Sequence, residues 1–194
     1  MHCEASPVLL TDRLHLLAPE PQQAEQVADF YLRNAGHFAP WDPPQPAEQA
    51  EESRVRQSLI DAALAFREGR ALRWWLRRSA QPERIIGSVQ LSNLARGPFQ
   101  NAMLGYALDR QAQHCGLMHE ALRAVIAEAF SPRVNLHRLQ AAVQPVNVRS
   151  LAVLQRLGFL DEGLARDYLF IAGAWRDHRL LALTNAHFRQ PASW

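Results

Sequence analysis

The sequence predicts a mixed α/β fold, because segments with the two-residue period of a β-strand alternate with segments that have the period of an α-helix. Residues 136–144 alternate apolar and polar side chains, which is typical of a strand with one buried face. Residues 117–130 repeat apolar side chains at the spacing of one helix face. Turn signals at Gln81-Pro82 and Gly97-Pro98 separate three short strands before this helix. Periodicity alone therefore predicts the class of fold and leaves the strand order open.

Apolar spacing, proline and glycine predict the other elements in chain order. The first half is predicted to contain a strand over residues 8–17, a helix over 19–33, a loop over 36–46, a helix over 47–67 and strands over 72–78, 84–93 and 101–108. The loop carries Pro40, Pro43, Pro44 and Pro46, and Gly69 ends the second helix. The second half adds the helix over 117–130, the strand over 136–144, a helix over 148–157 and two final strands.

Length and composition are those of one globular domain, predicted to span residues 1–194. The 21 basic residues are all arginine, and the formal net charge of +2 neither requires nor excludes an anionic partner. Cys3 and Cys115 are the only cysteines, which argues against a disulfide framework and favours a reducing compartment. No apolar run reaches the ~20 residues of a membrane span, and no signal-peptide core is visible. We therefore expect a cytoplasmic protein with no membrane partner.

The densest set of motifs lies in residues 145–178, which read PVNVRSLAVLQRLGFLDEGLARDYLFIAGAWRDH. This stretch begins with Asn147 and Ser150 at the start of an apolar helix that Gly158-Phe159 closes. Together with IIGSVQLSN (85–93), RGPF (96–99), LGYAL (104–108) and HFAPW (37–41), it resembles the RimJ/RimL-type acetyltransferases, a branch of the GNAT superfamily. The motifs cover most of the chain in the order of that family.

The resemblance implies the GNAT fold, a mixed and mostly antiparallel seven-stranded twisted sheet with splayed central strands and flanking helices. It also implies an N-acetyltransferase that uses acetyl-CoA and no metal. The likeness to the RimJ subtype implies that the acceptor is the α-amine of a protein N-terminus, such as that of a ribosomal protein. Because no Cys or Ser lies in a setting that would activate a nucleophile, we expect direct transfer within a ternary complex.

Residues 111–116, Gln-Ala-Gln-His-Cys-Gly, lie where a strand meets a helix, at the position of the family's phosphate-binding loop. Backbone N–H groups and the dipole at a helix N-terminus favour pyrophosphate there. The family has two glycines in this loop, whereas here the first is His114 and only Gly116 remains. The resemblance implies that CoA contacts Gln113, His114, Cys115, Gly116 and Leu117, with an affinity weakened by the missing glycine. On its own the motif favours a plain strand-to-helix turn.

The resemblance places the pantetheine arm of CoA along the backbone of Tyr106, Ala107 and Leu108, and a further CoA contact at Asn147. Asn147 is a favoured helix N-cap and Ser150 is common in a first turn, so capping alone would explain both residues. Many GNAT enzymes use a tyrosine one turn deeper in this helix, and that position is Leu154 here. Ser150 is therefore the candidate that donates a hydrogen bond to the leaving sulfur.

The acceptor side of the site is predicted from the same resemblance. Glu162, at a strand start, is the candidate general base, and an ordinary surface glutamate is the alternative. The Asp177-His178 pair is expected to be structural. The acceptor is expected to lie between two walls, with His37, Phe38 and Trp41 on the proline-rich loop and Tyr168 and Trp175, beside Arg166 and Arg176, on the opposite lip.

Two other functions stay open. The acceptor could instead be a small amine, such as a polyamine or an aminoacyl antibiotic, but the one acidic run, Glu48, Glu51 and Glu52, is typical of a solvated helix face. The chain could also be a non-catalytic ribosome-assembly or RNA-binding protein. No basic run exceeds Arg77-Arg78 and no aromatic stacking motif accompanies it, so no specific nucleic acid is expected. The oligomeric state is open, and a homodimer is one alternative.

Overall fold

The computed structural model describes residues 8–43 and 51–190 of the chain. Eight strands form one sheet, and four α-helices cover it. The strands are β1 (Val8–Leu10), β2 (Leu14–Leu17), β3 (Leu72–Arg78), β4 (Gln81–Ala95), β5 (Asn101–Leu108), β6 (Arg138–Val143), β7 (Leu160–Ile171) and β8 (Ala174–Thr184). The helices are α1 (Ala24–Phe38), α2 (Glu52–Arg67), α3 (Leu117–Ala129) and α4 (Val148–Arg156). The α/β class and the order of elements after β2 agree with the sequence-based prediction.

The sheet has the strand order β1-β2-β3-β4-β5-β6-β8-β7, and every neighbouring pair is antiparallel except β5 and β6. β5 and β6 pair only at their first residues, Asn101–Met103 against Arg138–Gln140. The remainder of each strand, through Leu108 and Val143, continues without pairing to the other. The sheet therefore opens between its two central strands, which confirms the predicted splay.

The predicted strand count of seven is wrong, because the segment over residues 8–17 forms a hairpin of two strands. Thr11 donates its backbone N–H to the Leu14 carbonyl at 3.0 Å, and the Leu14 N–H donates back to Thr11 Oγ1 at 3.0 Å. This turn reverses the chain so that Val8 pairs with Leu17. A turn closed by a threonine side chain carries no glycine or proline signal in the sequence.

The first helix is longer than predicted. It continues through residues 34–38, and the Ala39 N–H donates to the Ala35 carbonyl at 3.0 Å. His37 and Phe38 therefore lie in the last turn of α1 and not on a loop, whereas Trp41 lies in the turn that follows. The rest of the predicted proline-rich loop, with Pro44, Pro46, Glu48 and the predicted helix start at residue 47, lies outside the described residues.

Adjacent tryptophans on β3 attach helices to both faces of the sheet. Trp74 is fully buried and packs edge-on against Phe66 of α2, at 5.3 Å between ring centroids. Trp75 points to the opposite face, where it packs on Phe30 of α1 at 6.1 Å. Because neighbouring strand residues alternate between faces, two successive rings serve two separate apolar cores. The second core fixes α1, and with it the position of His37.

No helix within the two described stretches of chain is both long enough and apolar enough to cross a membrane.

Candidate active site

A cavity of about 730 Å³ lies at the opening between β5 and β6. Four parts of the chain line it: the end of β5, the loop into α3 with the first turn of that helix, one face of α4 and the end of α1 with its turn. Most of the predicted site residues lie here, namely His37, Phe38, Trp41, Tyr106, Ala107, Leu108, Gln113, His114, Gly116, Leu117, Asn147 and Ser150. Residues that are up to 113 positions apart in the sequence thus share one cavity.

The loop before α3 has the backbone geometry of an anion-binding turn. Gly116 is the N-cap residue of α3, with a left-handed φ of 74°, so the first N–H groups of a 13-residue helix begin at the cavity wall. Arg13 holds the loop from outside, because its Nη1 donates to the Cys115 carbonyl at 2.9 Å and its Nη2 pairs with Glu120 at 2.6 Å. The hairpin turn of β1 and β2 therefore supports the phosphate loop.

His114 has the left-handed conformation that the family's first glycine would have, with φ of 63°. Such a conformation costs an L-residue roughly 1–2 kcal/mol. The side chain is exposed and lines the cavity mouth. Cys115 is exposed as well, and its thiol donates to the Gln113 carbonyl at 3.3 Å. Unlike His114 and Gly116, it does not line the cavity.

Gln113 links three parts of the site. Arg149 of α4 donates to Gln113 Oε1 at 2.5 Å, which leaves the amide nitrogen directed at His37 Nε2, 2.8 Å away. Because an amide NH₂ can only donate, His37 Nε2 accepts and the imidazole is neutral. Burial, together with the charges of Arg149 and Arg110, also lowers the pKa of His37. Gln113 therefore connects His37 of α1 to Arg149 of α4, and this chain of hydrogen bonds sets the distance between the two helices across the cavity.

Two hydroxyl groups meet beside the opening of the sheet. The Tyr106 phenol oxygen lies 2.6 Å from Ser150 Oγ and 3.3 Å from the Ser150 carbonyl oxygen, and its single hydrogen can be donated to either of them. Burial raises the pKa of Tyr106 to about 12, against a smaller opposing effect of the hydrogen bond with Ser150. The phenol is therefore protonated at neutral pH. When it donates to Ser150 Oγ, the serine hydrogen is left for a ligand in the cavity.

Asn147 acts as the N-cap of α4, since its Oδ1 accepts from the Ser150 N–H at 3.2 Å. The cap thus uses the backbone of Ser150, and its hydroxyl remains available for the cavity. The sequence presented capping and a chemical role as alternatives for these two residues. The geometry allows both, because Asn147 caps while the Ser150 side chain pairs with Tyr106.

The backbone of Tyr106–Leu108 lines the cavity with an edge that no strand pairs with. On one side these residues pair with β4, where Gly87 lies opposite Leu108. A Cβ at Gly87 would lie 2.7 Å from the Ala107 carbonyl, so only glycine permits this close approach. On the other side the pairing with β6 has already ended at Met103. An extended chain with amide groups, such as pantetheine, fits an edge of this kind.

Glu162 is not positioned as a general base, so the prediction for this residue is corrected. Its exposed carboxylate is paired with Arg138, the first residue of β6, and it does not line the cavity. In the register, Glu162 lies level with Ala141 and Ala142, and β8 separates it from β6. Its carboxylate is thus taken up by the Arg138 side chain and not directed into the cavity.

The predicted lip formed by Tyr168 and Trp175 lies on the β7–β8 hairpin, outside the cavity lining. Trp175 is 60% exposed and packs on Phe170, whereas Tyr168 packs on His178. Arg179 pairs with Val143 at the end of β6, so the hairpin beyond it projects past the sheet on the side of the cavity.

The other candidates of this hairpin serve its own structure. His178 is buried, and its Nδ1 lies 2.9 Å from the Arg176 carbonyl. Asp177 accepts the backbone N–H of Asp167. The Asp177-His178 pair is therefore not arranged as an acid–base pair, in agreement with the structural role expected for it. Arg176 itself donates to the carbonyl of Ile171.

The sequence reading missed Asp42 and the side-chain role of Tyr106. Asp42 follows Trp41 and lines the cavity, and burial raises the pKa of its carboxyl. A prediction that α1 runs to Phe38 would also have placed Asp42 at the cavity. Asp42 lies one helical turn after Phe38 and therefore faces the same side of the helix axis. Among the described residues, no group of three or more His, Cys, Asp or Glu side chains could hold a metal ion.

Comparison with known proteins agrees with this geometry. A model of the acetyltransferase (GNAT) domain matches residues 13–160. The ribosomal protein uS5-alanine N-acetyltransferase of Escherichia coli (strain K12) is 38% identical over 176 residues, which cover 91% of this chain and 90% of that protein.

Two solved structures have the same fold over nearly their whole length. The ribosomal-protein-S5-alanine acetyltransferase of Vibrio fischeri has a TM-score of 0.90 and 32% identity, covering 94% of this chain and 99% of that one. Mycobacterium smegmatis RimJ in complex with CoA-disulfide has a TM-score of 0.88 and 27% identity, covering 99% and 94%. The family match and the extent of these similarities show that the chain belongs to the GNAT acetyltransferase family, which confirms the predicted N-acetyltransferase activity with acetyl-CoA as co-substrate.

Proposed function

We propose that this chain transfers the acetyl group of acetyl-CoA to the α-amine of a protein N-terminus, and that its acceptor is a ribosomal protein beginning with alanine or serine. The observation that carries this acceptor is the 38% identity with the uS5-alanine N-acetyltransferase across nine tenths of both chains. A ribosomal acceptor also favours the cytoplasm as the site of action.

The proposed mechanism assigns each part of the cavity to one part of the co-substrate. The backbone N–H groups at Gly116 and Leu117 hold the pyrophosphate, with Gln113 and His114 beside it. The free edge of β5 at Tyr106–Leu108 holds the pantetheine amides. Acetyl-CoA supplies an acetyl thioester, and the Ser150 hydroxyl donates to its sulfur, supported by the phenol of Tyr106.

The acceptor enters along the wall formed by His37, Phe38 and Trp41, at the other side of the cavity. Direct attack within a ternary complex suits this layout, because no cysteine among the described residues lines the cavity. A polyamine would need several carboxylates, whereas the described part of the cavity lining contains only Asp42. A peptide with one cationic amine matches this single charge better.

The test uses purified protein, acetyl-CoA and synthetic peptides beginning with alanine, followed by mass spectrometry. We expect acetylation of the free N-terminus and no turnover when that amine is blocked and a lysine side chain is left free. Equal turnover of the blocked peptide, or a preference for spermidine, would contradict the acceptor. Absence of acetyl-CoA binding in calorimetry would instead support the non-catalytic alternative. The homodimer remains a proposal that sedimentation analysis of the same sample decides.

A further inference from the structure

Asp42 is held at the acceptor wall by the turn that ends α1. Its backbone N–H donates to the Phe38 carbonyl at 3.0 Å, and the N–H of Trp41 donates to the same oxygen at 2.8 Å. Both side chains line the cavity, and Asp42 is half-buried. The carboxylate is therefore carried by a hydrogen-bonded turn of the same wall as the aromatic side chains.

The charges of the cavity are unevenly distributed. Asp42 is the only acidic side chain among the described residues that line it. Arg149 and Arg156 bring two positive charges, and both belong to α4. These groups suit the phosphates of CoA and repel a cationic amine. An ammonium group in this cavity is therefore drawn to Asp42.

Other carboxylates beside the site are held by arginine, whereas that of Asp42 is not. Asp109 is bound by Arg33 at 2.8 Å, and Glu120 is bound by Arg13. Within the described residues, no side chain donates a hydrogen bond to the Asp42 carboxylate or forms an ion pair with it. A desolvated carboxylate without a protein partner is costly and has its acceptor positions free for a ligand.

We infer that Asp42 is a further catalytic residue, whose carboxylate binds the ammonium of the acceptor and removes one of its protons. The inference rests on the proposed function, since it needs a cationic amine as acceptor. The nitrogen lone pair freed by this proton transfer forms the C–N bond with the acetyl carbon, and the C–S bond breaks. The second proton of the nitrogen ends on the CoA sulfur, and the proton on Asp42 leaves to solvent, so one proton is released per turnover.

The pH dependence of this step follows from the ionisable groups around it. The ionisable groups on the elements around Asp42 are Tyr31 and His37 of α1, Arg73 of β3, Arg149 and Arg156 of α4, and His114 and His119 in and after the phosphate loop. Burial raises the pKa of Tyr31 and lowers that of His37, so both are neutral near pH 7, and the arginines are always charged. The two groups that exchange a proton in the proposed step are the acceptor amine, with a pKa of about 7.7–8.0, and the Asp42 carboxylate.

The experiment compares Asp42→Asn with the wild-type chain on a peptide beginning with alanine, from about pH 6.5 to about pH 9.5, across the amine pKa. Asparagine has the same shape but cannot take the proton. We expect kcat/KM of the variant to be lower by roughly 100- to 1,000-fold at the acid end, within the range for loss of a general base. The difference should shrink above the pKa of the amine, where the peptide is already neutral. Asp61→Asn, on the exposed face of α2, is the matched control and should resemble wild type.

The outcomes separate the two proposals. If wild type acetylates the peptide and Asp42→Asn has the same pH profile and kcat/KM, the role of Asp42 is wrong while the proposed function stands. A deficit that is constant across pH, with weaker acetyl-CoA binding in calorimetry, would identify Asp42 as a structural residue and overturn the inference. If wild type acetylates no peptide N-terminus, the proposed function itself fails.

Discussion

The phenol of Tyr106 on β5 and the hydroxyl of Ser150 on α4 lie 2.6 Å apart, where the two central strands have separated. They come from elements 44 residues apart in the sequence. The pairing joins a protonated phenol, with its pKa raised by burial to about 12, to a hydroxyl that lines the cavity. A serine hydroxyl is a weak acid on its own, and a donor behind it makes its hydrogen available to the sulfur.

Ser150→Ala should therefore lower kcat by roughly ten- to a thousandfold, as expected for loss of one donor to the leaving group. Its affinity for acetyl-CoA should be nearly unchanged. Because Asn147 caps the helix through the backbone N–H of Ser150, the variant keeps the cap and its thermal stability. Asn147→Ala is the contrasting variant, and should cost about 1 kcal/mol of stability. A Ser150→Ala variant that unfolds earlier yet keeps its kcat would show that the serine is only structural.

Elements with strong local signals could be predicted from the sequence, and those that depend on pairing partners could not. The alternation in β6 and the Asn147 cap of α4 are local, and both are found as predicted. Glu162 is paired with Arg138 of β6, and an ion pair between distant strands is not encoded near either residue.

The site was incompletely predicted for a similar reason. Gly36 and Pro40 argue for a loop, yet α1 continues to Phe38. The reason is packing, because Phe38 contacts Phe30 of the same helix and Phe30 contacts Trp75 of β3. Tertiary packing outweighs local propensity there. The sequence therefore predicts a loop at Asp42 with no defined position, and the resemblance implies a role for the backbone of Tyr106 only.

His114→Gly tests the strained position of the phosphate loop. Glycine would relieve a left-handed conformation that costs roughly 1–2 kcal/mol, partly offset by the greater entropy of the unfolded chain. We expect unchanged or higher thermal stability and preserved or tighter acetyl-CoA binding. His114→Ala removes the imidazole but keeps the strain, so it is the matched control for calorimetry. Loss of binding in both variants would show that the loop depends on the imidazole and contradict a site built from backbone N–H groups.

Trp41→Ala tests the acceptor wall. The indole lines the cavity beside Asp42, so its loss should raise the KM for the peptide more than the KM for acetyl-CoA. Trp175→Ala is the natural comparison, because that ring is 60% exposed on the projecting hairpin and does not line the cavity. Its effect on the peptide KM should be smaller. A larger effect of Trp175→Ala would place the acceptor on the hairpin and not along α1.

The stability of Asp42→Asn against pH is the last prediction, and its sign follows from the raised pKa of the carboxyl. Burial raises the pKa of Asp42 in the folded chain, so folding favours its protonated form. Protonation of Asp42 therefore stabilises the folded chain. This stabilisation is fully present below the unfolded pKa of about 3.9, and it is lost as pH rises through the pKa of Asp42 in the folded chain. At neutral pH the ionised carboxylate thus weakens the fold, and Asp42→Asn should unfold at a higher urea concentration than wild type.

The gain in stability of Asp42→Asn over wild type should shrink as pH is lowered towards the pKa of the carboxyl in the unfolded chain. Asp109→Asn provides the opposite case. Although burial alone would raise the pKa of Asp109, the bonds from Arg33 and the Gln111 N–H hold it below its ordinary value, so the ionised form stabilises the fold at neutral pH. That variant should be less stable than wild type near pH 7. Lower stability of Asp42→Asn at neutral pH would mean that the carboxylate has a partner within the protein, and that its acceptor positions are not free for an incoming amine.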